Sequence, residues 1–330
     1  MAFRVPPCIW TFLSSLGEGG FLGSLRSENG TDRGWRGGSL SVGRLGSRAS
    51  LVRSAMTIVA ISREMGSGGY EVAAAVAKAL GFAYVDREIL LLAAREHAVP
   101  EEKITDVADR HLSLWERFDE EKRRYLTFIE AAYYSFAEKG SLVTAGRGGP
   151  FFLRDVSHAL RVRIMAPFEV RVRRVMERGE KLAHKAAMVK VRDYDREMAG
   201  RIDYLFGVDW TMPENYDLVI NTEANAWQFY TDLLVAAARH PRFQPVPESV
   251  QRVKDLSLGA QVRAAIATDP LTKNINVEVF AQSGQVALKG VVFSPAMMDA
   301  AANVARKVPG VAAVSCEAVE VPRVYPGPIM

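Results

Sequence analysis

Runs of apolar and polar residues change period along this chain, and each change marks an element. Ile58 to Ile61 is continuously apolar and predicts a buried strand. A glycine turn follows, Gly66-Ser67-Gly68-Gly69. From Tyr70 to Leu80 the apolar positions Val72, Val76, Ala79 and Leu80 share one helical face, and Gly81 stops the helix. The same alternation recurs. Phe82 to Asp86 reads as a strand. A helix over 87–98 puts Ile89, Leu92 and Ala93 on one side, and Pro100-Glu101-Glu102 opens a turn. Leu112 to Lys139 reads as a long, interrupted helical region. Strands follow at Ser141–Ala145 and Ala159–Ala166, then a helix after Pro167 and charged helical sequence from Leu182 to Phe206. Tyr216–Asn221 is a fifth strand and Ala226–Arg239 a closing helix. Apolar strands alternating with helices predict a parallel sheet covered on both faces. Such sheets bind ligands at the carboxyl ends of strands. Asp86, Arg147 and the glycine turn all fall there.

Past Pro241–Pro247 the period drops to two. A short helix at Gln261–Ala267 precedes strands at Ile275–Gln282 and Val286–Phe293. A helix over Pro295–Val308 and a last strand complete the set. Val277 and Val279 alternate with polar neighbours, as do Val286 and Leu288, so one face of this small sheet packs on helices. The expected organisation is a leader or misassigned start over 1–55 and an α/β domain over 56–240. A linker (241–255), an α+β domain (256–322) and a tail (323–330) follow.

Composition adds limits. The chain has 330 residues, 48% hydrophobic and 24% charged, as in ordinary globular proteins. A net charge of +4 suits small anions as well as nucleic acid or an anionic membrane. Two cysteines, Cys8 and Cys316, stand at opposite ends. They make neither a disulfide framework nor a zinc site, and a reducing cytoplasm is expected. No apolar run approaches the ~20 residues of a membrane helix. Residues 1–55 hold ten glycines, nine serines and seven arginines without a lysine, too little apolar sequence to order itself, and Met56 is the expected start. The five histidines show no metal spacing, so no metal-ligating residues are assigned.

Strand, glycine turn, helix is the layout of a phosphate cradle, because glycine lets the backbone approach an anion and helix-start N–H groups point at it. It is equally the layout of a tight turn without a ligand. The pattern G-x-x-x-x-G-K-[ST] is broken, since Gly69 stands at the lysine position and Tyr70 and Glu71 follow. Arg171, Arg174 and Arg178 share a helix face, which suits either gripping phosphate or facing solvent. Arg147 sits in a glycine-flanked turn where an acceptor phosphate could approach. Asp86 suits a sugar hydroxyl, magnesium or a helix cap.

Several motifs in order, ISREMGSGGYEVA, YVDREIL, AGRGG, RIMAPFEVRVRRV, RDYDRE and YDLVINTE, resemble the cytidylate-kinase-like family. The resemblance covers Thr57 to about Arg239. It implies a P-loop-type parallel sheet flanked by helices, with a helical lid, and transfer of the γ-phosphoryl of ATP to a nucleoside monophosphate, CMP or dCMP, with Mg2+. On that basis Gly66, Ser67, Gly68, Gly69 and Arg63 are expected to hold ATP. Asp86, Arg147 and Gly148 are expected at the acceptor, and Arg171, Arg174, Arg192 and Arg196 around the transferred group. The family's aspartate after the acceptor arginine is replaced by Gly148, and its further lid arginine by Met198, with Arg196 or Arg201 as stand-ins. The segment from Leu256 to Val321 resembles a BON domain through NVEVFAQSGQVALKGVV and VPGVAAV, which implies a phospholipid or other partner. The resulting expectation is a cytoplasmic nucleotide kinase without nucleic-acid partner or transmembrane segment. The rival is a nucleotide-binding module, weak or inactive in catalysis, that signals through the BON-like domain.

Overall fold

The structure, a computed structural model, describes residues 56–109, 120–178, 182–292 and 294–320. The leader, the tail, Cys8, His111 and the start of the expected long helix lie outside the described residues.

The first strand, β1 (Ile58–Arg63), is the centre of a five-stranded parallel sheet. Its partners are β2 (Ala83–Val85), β3 (Leu142–Ala145), β4 (Ala159–Met165) and β5 (Leu218–Asn221), in the order β2-β3-β1-β4-β5. Ile58 pairs with Leu142 on one side and Ala159 on the other. Alternate residues of β1 feed opposite cores, which is why the run reads as continuously apolar. Val59 and Ile61 pack under α1 (Gly69–Leu80) and α8 (Trp227–Arg239), while Ile58 and Ala60 face α2 (Glu88–Glu96) and α4 (Glu120–Glu138). Between these elements lie α3 (Glu101–Asp109), α5 (Gly149–Phe152), α6 (Phe168–Glu177) and α7 (His184–Phe206). The acidic turn expected at 100–102 is the start of α3, where Pro100 precedes two glutamates in the first turn, a favourable order at a helix N-terminus.

The largest departure is α9 (Pro247–Thr268), a single helix where a linker and a short helix are expected. Its start is fixed by Pro247 and by Ser249, whose Oγ accepts the Val246 N–H at 3.1 Å. Its apolar residues serve two cores. Val253, Ala260 and Ala264 join the core beneath the large sheet, and Val262 and Ile266 join the core of the small one. Splitting the apolar positions between two faces erases the single stripe by which a helix is recognised. The small sheet contains β6 (Val277–Gln282), β7 (Gln285–Val292) and β8 (Ala313–Glu320), with α10 (Pro295–Ala305) packed on it. β6 and β7 are antiparallel and β7 and β8 parallel.

Candidate active site

The loop after β1 bends through two left-handed residues, Gly66 (φ 76°) and Gly68 (φ 79°). Both also need to be small. A Cβ on Gly66 would lie 2.6 Å from the Arg171 carbonyl oxygen, and one on Gly68 would enter the Trp227 ring at 2.3 Å. Ser67 turns inward, its Oγ donating to the Glu64 carbonyl at 2.8 Å. The loop's backbone therefore lines a cavity of about 590 Å³ at the carboxyl end of the sheet.

Gly69 has an ordinary helical backbone, so its smallness has another cause. A Cβ there would sit 2.6 Å from the Cβ of Arg63 and 3.2 Å from its Cδ. The arginine stem runs through the space that a P-loop lysine would use. Its guanidinium lies 3.3 Å from the Tyr70 ring centroid and donates to Tyr194 Oη at 3.3 Å. Arg63 is 8% exposed, lines the cavity, and its Nε is buried with no hydrogen-bond partner. A buried donor left unpaired is costly and is commonly found where a ligand completes the site.

The arginines expected around the transferred group lie elsewhere. Arg174 is behind the loop. Its guanidinium donates to the Gly66 carbonyl (3.2 Å), Thr222 Oγ1 (3.1 Å), the Thr222 carbonyl (2.7 Å) and Asn225 Oδ1 (2.6 Å). Burial lowers its pKa, with help from Arg178. Arg171 is buried too. It grips Asp195 of α7 with two 2.9 Å bonds and meets Glu64 at 3.2 Å. Glu64 also receives Arg163 at 2.7 Å, so one buried carboxylate joins β1, β4 and α6. Arg192 lies over the Phe168 ring at 5.0 Å, and Arg196 pairs with Asp193 at 3.2 Å on the exposed side of α7. None of these four lines the cavity. Buried acceptors from distant segments capture the first two, and helix phase carries the other two outward.

Other cations take their place. Arg178, Lys190 and Arg201 line the cavity along with Arg63 and Arg147. Arg178 is paired with Glu71. Arg147 stands between Gly146 (φ 89°) and Gly148 (φ 79°) and is itself left-handed (φ 57°). For a side chain bearing a Cβ that conformation costs roughly 1–2 kcal/mol, and such strain gathers at functional sites. Arg147 Nε meets Asp86 Oδ1 at 3.2 Å, and both residues line the cavity. Burial holds the Asp86 carboxyl above its ordinary value, against the opposing pull of Arg147 and Arg63. Asp86 also leaves the capping of α2 aside, since the cap position is Arg87 and its side chain makes no cap bond. Sequence spacing missed Lys190, Tyr194 and Glu197, although the i, i+4, i+7 pattern along α7 that faces them inward was there to be used.

A five-stranded parallel sheet whose central strand runs through a glycine loop into a helix, with cations gathered over that loop, defines a P-loop-type α/β fold. Residues 58–224 match the cytidylate kinase-like family, and the chain belongs to that family. Residues 254–321 match the BON domain. Among solved structures, an uncharacterized protein from Eubacterium ventriosum shares 22% identity (TM-score 0.43), with 56% of this chain and 98% of that one covered. Shikimate kinase from Bacteroides thetaiotaomicron shares 12% identity (TM-score 0.37), covering 56% of this chain and all of its own. Shikimate kinase from Acinetobacter baumannii, in complex with shikimate, shares 18% (TM-score 0.34), covering 58% and 99%. No curated protein matches the sequence. Among the described residues no helix is long and apolar enough to cross a membrane.

Proposed function

We propose that the chain transfers the γ-phosphoryl of ATP to a nucleoside monophosphate, with CMP or dCMP the first candidates. The observation that carries the proposal is Arg63, which lines the cavity, whose stem fills the vacancy at Gly69 and whose buried Nε has no hydrogen-bond partner. Phosphoryl transfer asks the protein for position and positive charge more than for covalent chemistry. In this reading the amides of Gly66 to Gly69 cradle the β- and γ-phosphates of ATP, and Arg63 supplies the charge that lysine supplies elsewhere. Arg147 receives the acceptor's phosphate, and Asp86 orients an acceptor hydroxyl. Arg174 and Arg171 act by position, fixing the loop and α7.

Magnesium, when bound, would offset charge on the transferred group. Asp86, Glu197 and Glu64 line the cavity, and Glu64 is already held by Arg163 and Arg171. Among the described residues no three of His, Cys, Asp and Glu cluster around one point. That donor set suits an ion carried mostly by phosphates and water.

A coupled assay of the purified chain with ATP and each nucleoside monophosphate tests the proposal. Turnover with one of them is expected. Tight ATP binding without turnover on any acceptor supports instead the second reading, a nucleotide-binding module that signals to the BON domain. The observation favouring that reading is α9, whose residues belong to both cores.

A further inference from the structure

A second cavity, of about 420 Å³, opens where α4 and the end of α7 meet α9 and the start of β6. That size suits a small organic ligand. Its charged lining is Arg124, Arg263, Lys273 and Glu130. Glu130 is already spent on Arg263, which it holds at 2.6 Å and 3.3 Å while the same arginine donates to the Val279 carbonyl at 3.1 Å. Arg124 and Lys273 are left with no carboxylate of their own among the described residues, and Arg124 Nε is buried without a hydrogen-bond partner. Two uncompensated cations at one mouth favour an anion. The lining also includes the apolar side chains of Phe206, Ile266 and Ile275. Phe206 also backs the acceptor loop, its ring 3.3 Å from where a Cβ on Gly148 would stand.

We propose that this cavity is a second ligand site, between the kinase-like and BON segments, for a small organic phosphate with an apolar or planar body. Its anion lies between Arg124 and Lys273 and its body against Phe206. The proposal is independent of whether the first cavity transfers phosphate.

Phenyl phosphate is the probe, titrated by calorimetry into an Arg63→Ala/Arg147→Ala chain in which the first cavity is disabled. Saturable binding is expected to persist and to weaken about tenfold on adding Lys273→Gln or Arg124→Gln. Lys273 is exposed, so its variant should fold. Inorganic phosphate should bind more weakly than phenyl phosphate. In the unmodified chain the probe should slow acetylation of Lys273 but not of Lys289, which decides the same question should the double variant fail to fold. Loss of all binding with the first cavity disabled, unchanged affinity in both second-cavity variants, or acetylation of Lys273 unaffected by the probe would overturn the proposal.

Discussion

Exchanging the residues at positions 63 and 69 tests whether an arginine stands in for the P-loop lysine. Arg63→Ala removes a buried cation that lines the cavity containing the glycine loop. Losing one such group costs about 10²–10³ in kcat, or roughly 3–4 kcal/mol of transition-state stabilisation. Restoring the usual motif with Gly69→Lys should not help. The new Cβ would lie 2.6 Å from the Arg63 Cβ, a contact with the stem near the backbone that a rotamer change cannot relieve. Overpacking of this kind costs typically 1–3 kcal/mol and would push Arg63 aside. The single lysine variant should therefore melt lower and turn over more slowly. The double variant Arg63→Gly/Gly69→Lys frees the space and returns one cation, at a cost of about 0.5–1 kcal/mol for glycine at a strand end. It should recover at least tenfold of the activity lost in Arg63→Ala. Initial rates with ATP and the accepted monophosphate, together with thermal melts, read all four chains. Arg63→Ala with an unchanged rate, or Gly69→Lys that is as stable and active as the parent, refutes the stand-in.

Three further outcomes follow from the same geometry. Arg174→Ala should lower stability by about 3 kcal/mol, because it releases the Gly66 carbonyl, Thr222 and Asn225 together, and should raise the ATP dissociation constant through a loosened loop. Denaturant midpoints and calorimetry check this, and an intact melt with a collapsed kcat would assign it to the reacting group instead. Glu64→Ala should cost about 3–5 kcal/mol, since it leaves Arg163 and Arg171 buried without their shared carboxylate; urea titration measures it. Burial lowers the pKa of His158, whose Nδ1 meets Ser249 Oγ at 2.7 Å near the start of α9. The unfolded chain then binds the proton first, so stability is full above about pH 6.5 and falls as the pH drops below it. His158→Gln should flatten that slope in melts taken between about pH 7 and pH 5.

The sheet was legible because its strands are short apolar runs bounded by glycine and proline. The glycine loop was legible because positive φ leaves glycines at fixed spacing. The arginines were not. Positions 171 and 174 do share a helix face, but whether that face meets a ligand depends on Asp195, Thr222 and Asn225, which come from other segments. A missing lysine reads from sequence as a lost charge. Only the packing of Arg63 against Gly69 shows another side chain in the same space. α9 stayed hidden for a related reason, since a helix shared by two cores has no single apolar stripe.

A crystal structure of the chain with a non-hydrolysable ATP analogue and CMP would show whether the glycine loop and Arg63 hold the phosphates. Phosphate oxygens are expected within hydrogen-bonding distance of the amides of Gly66 to Gly69, with Arg63 swung from Tyr70 onto them and Arg174 still bound to Thr222 and Asn225. A nucleotide lodged away from that loop, or an Arg63 that stays stacked on Tyr70 while the phosphates are bound, would contradict that expectation.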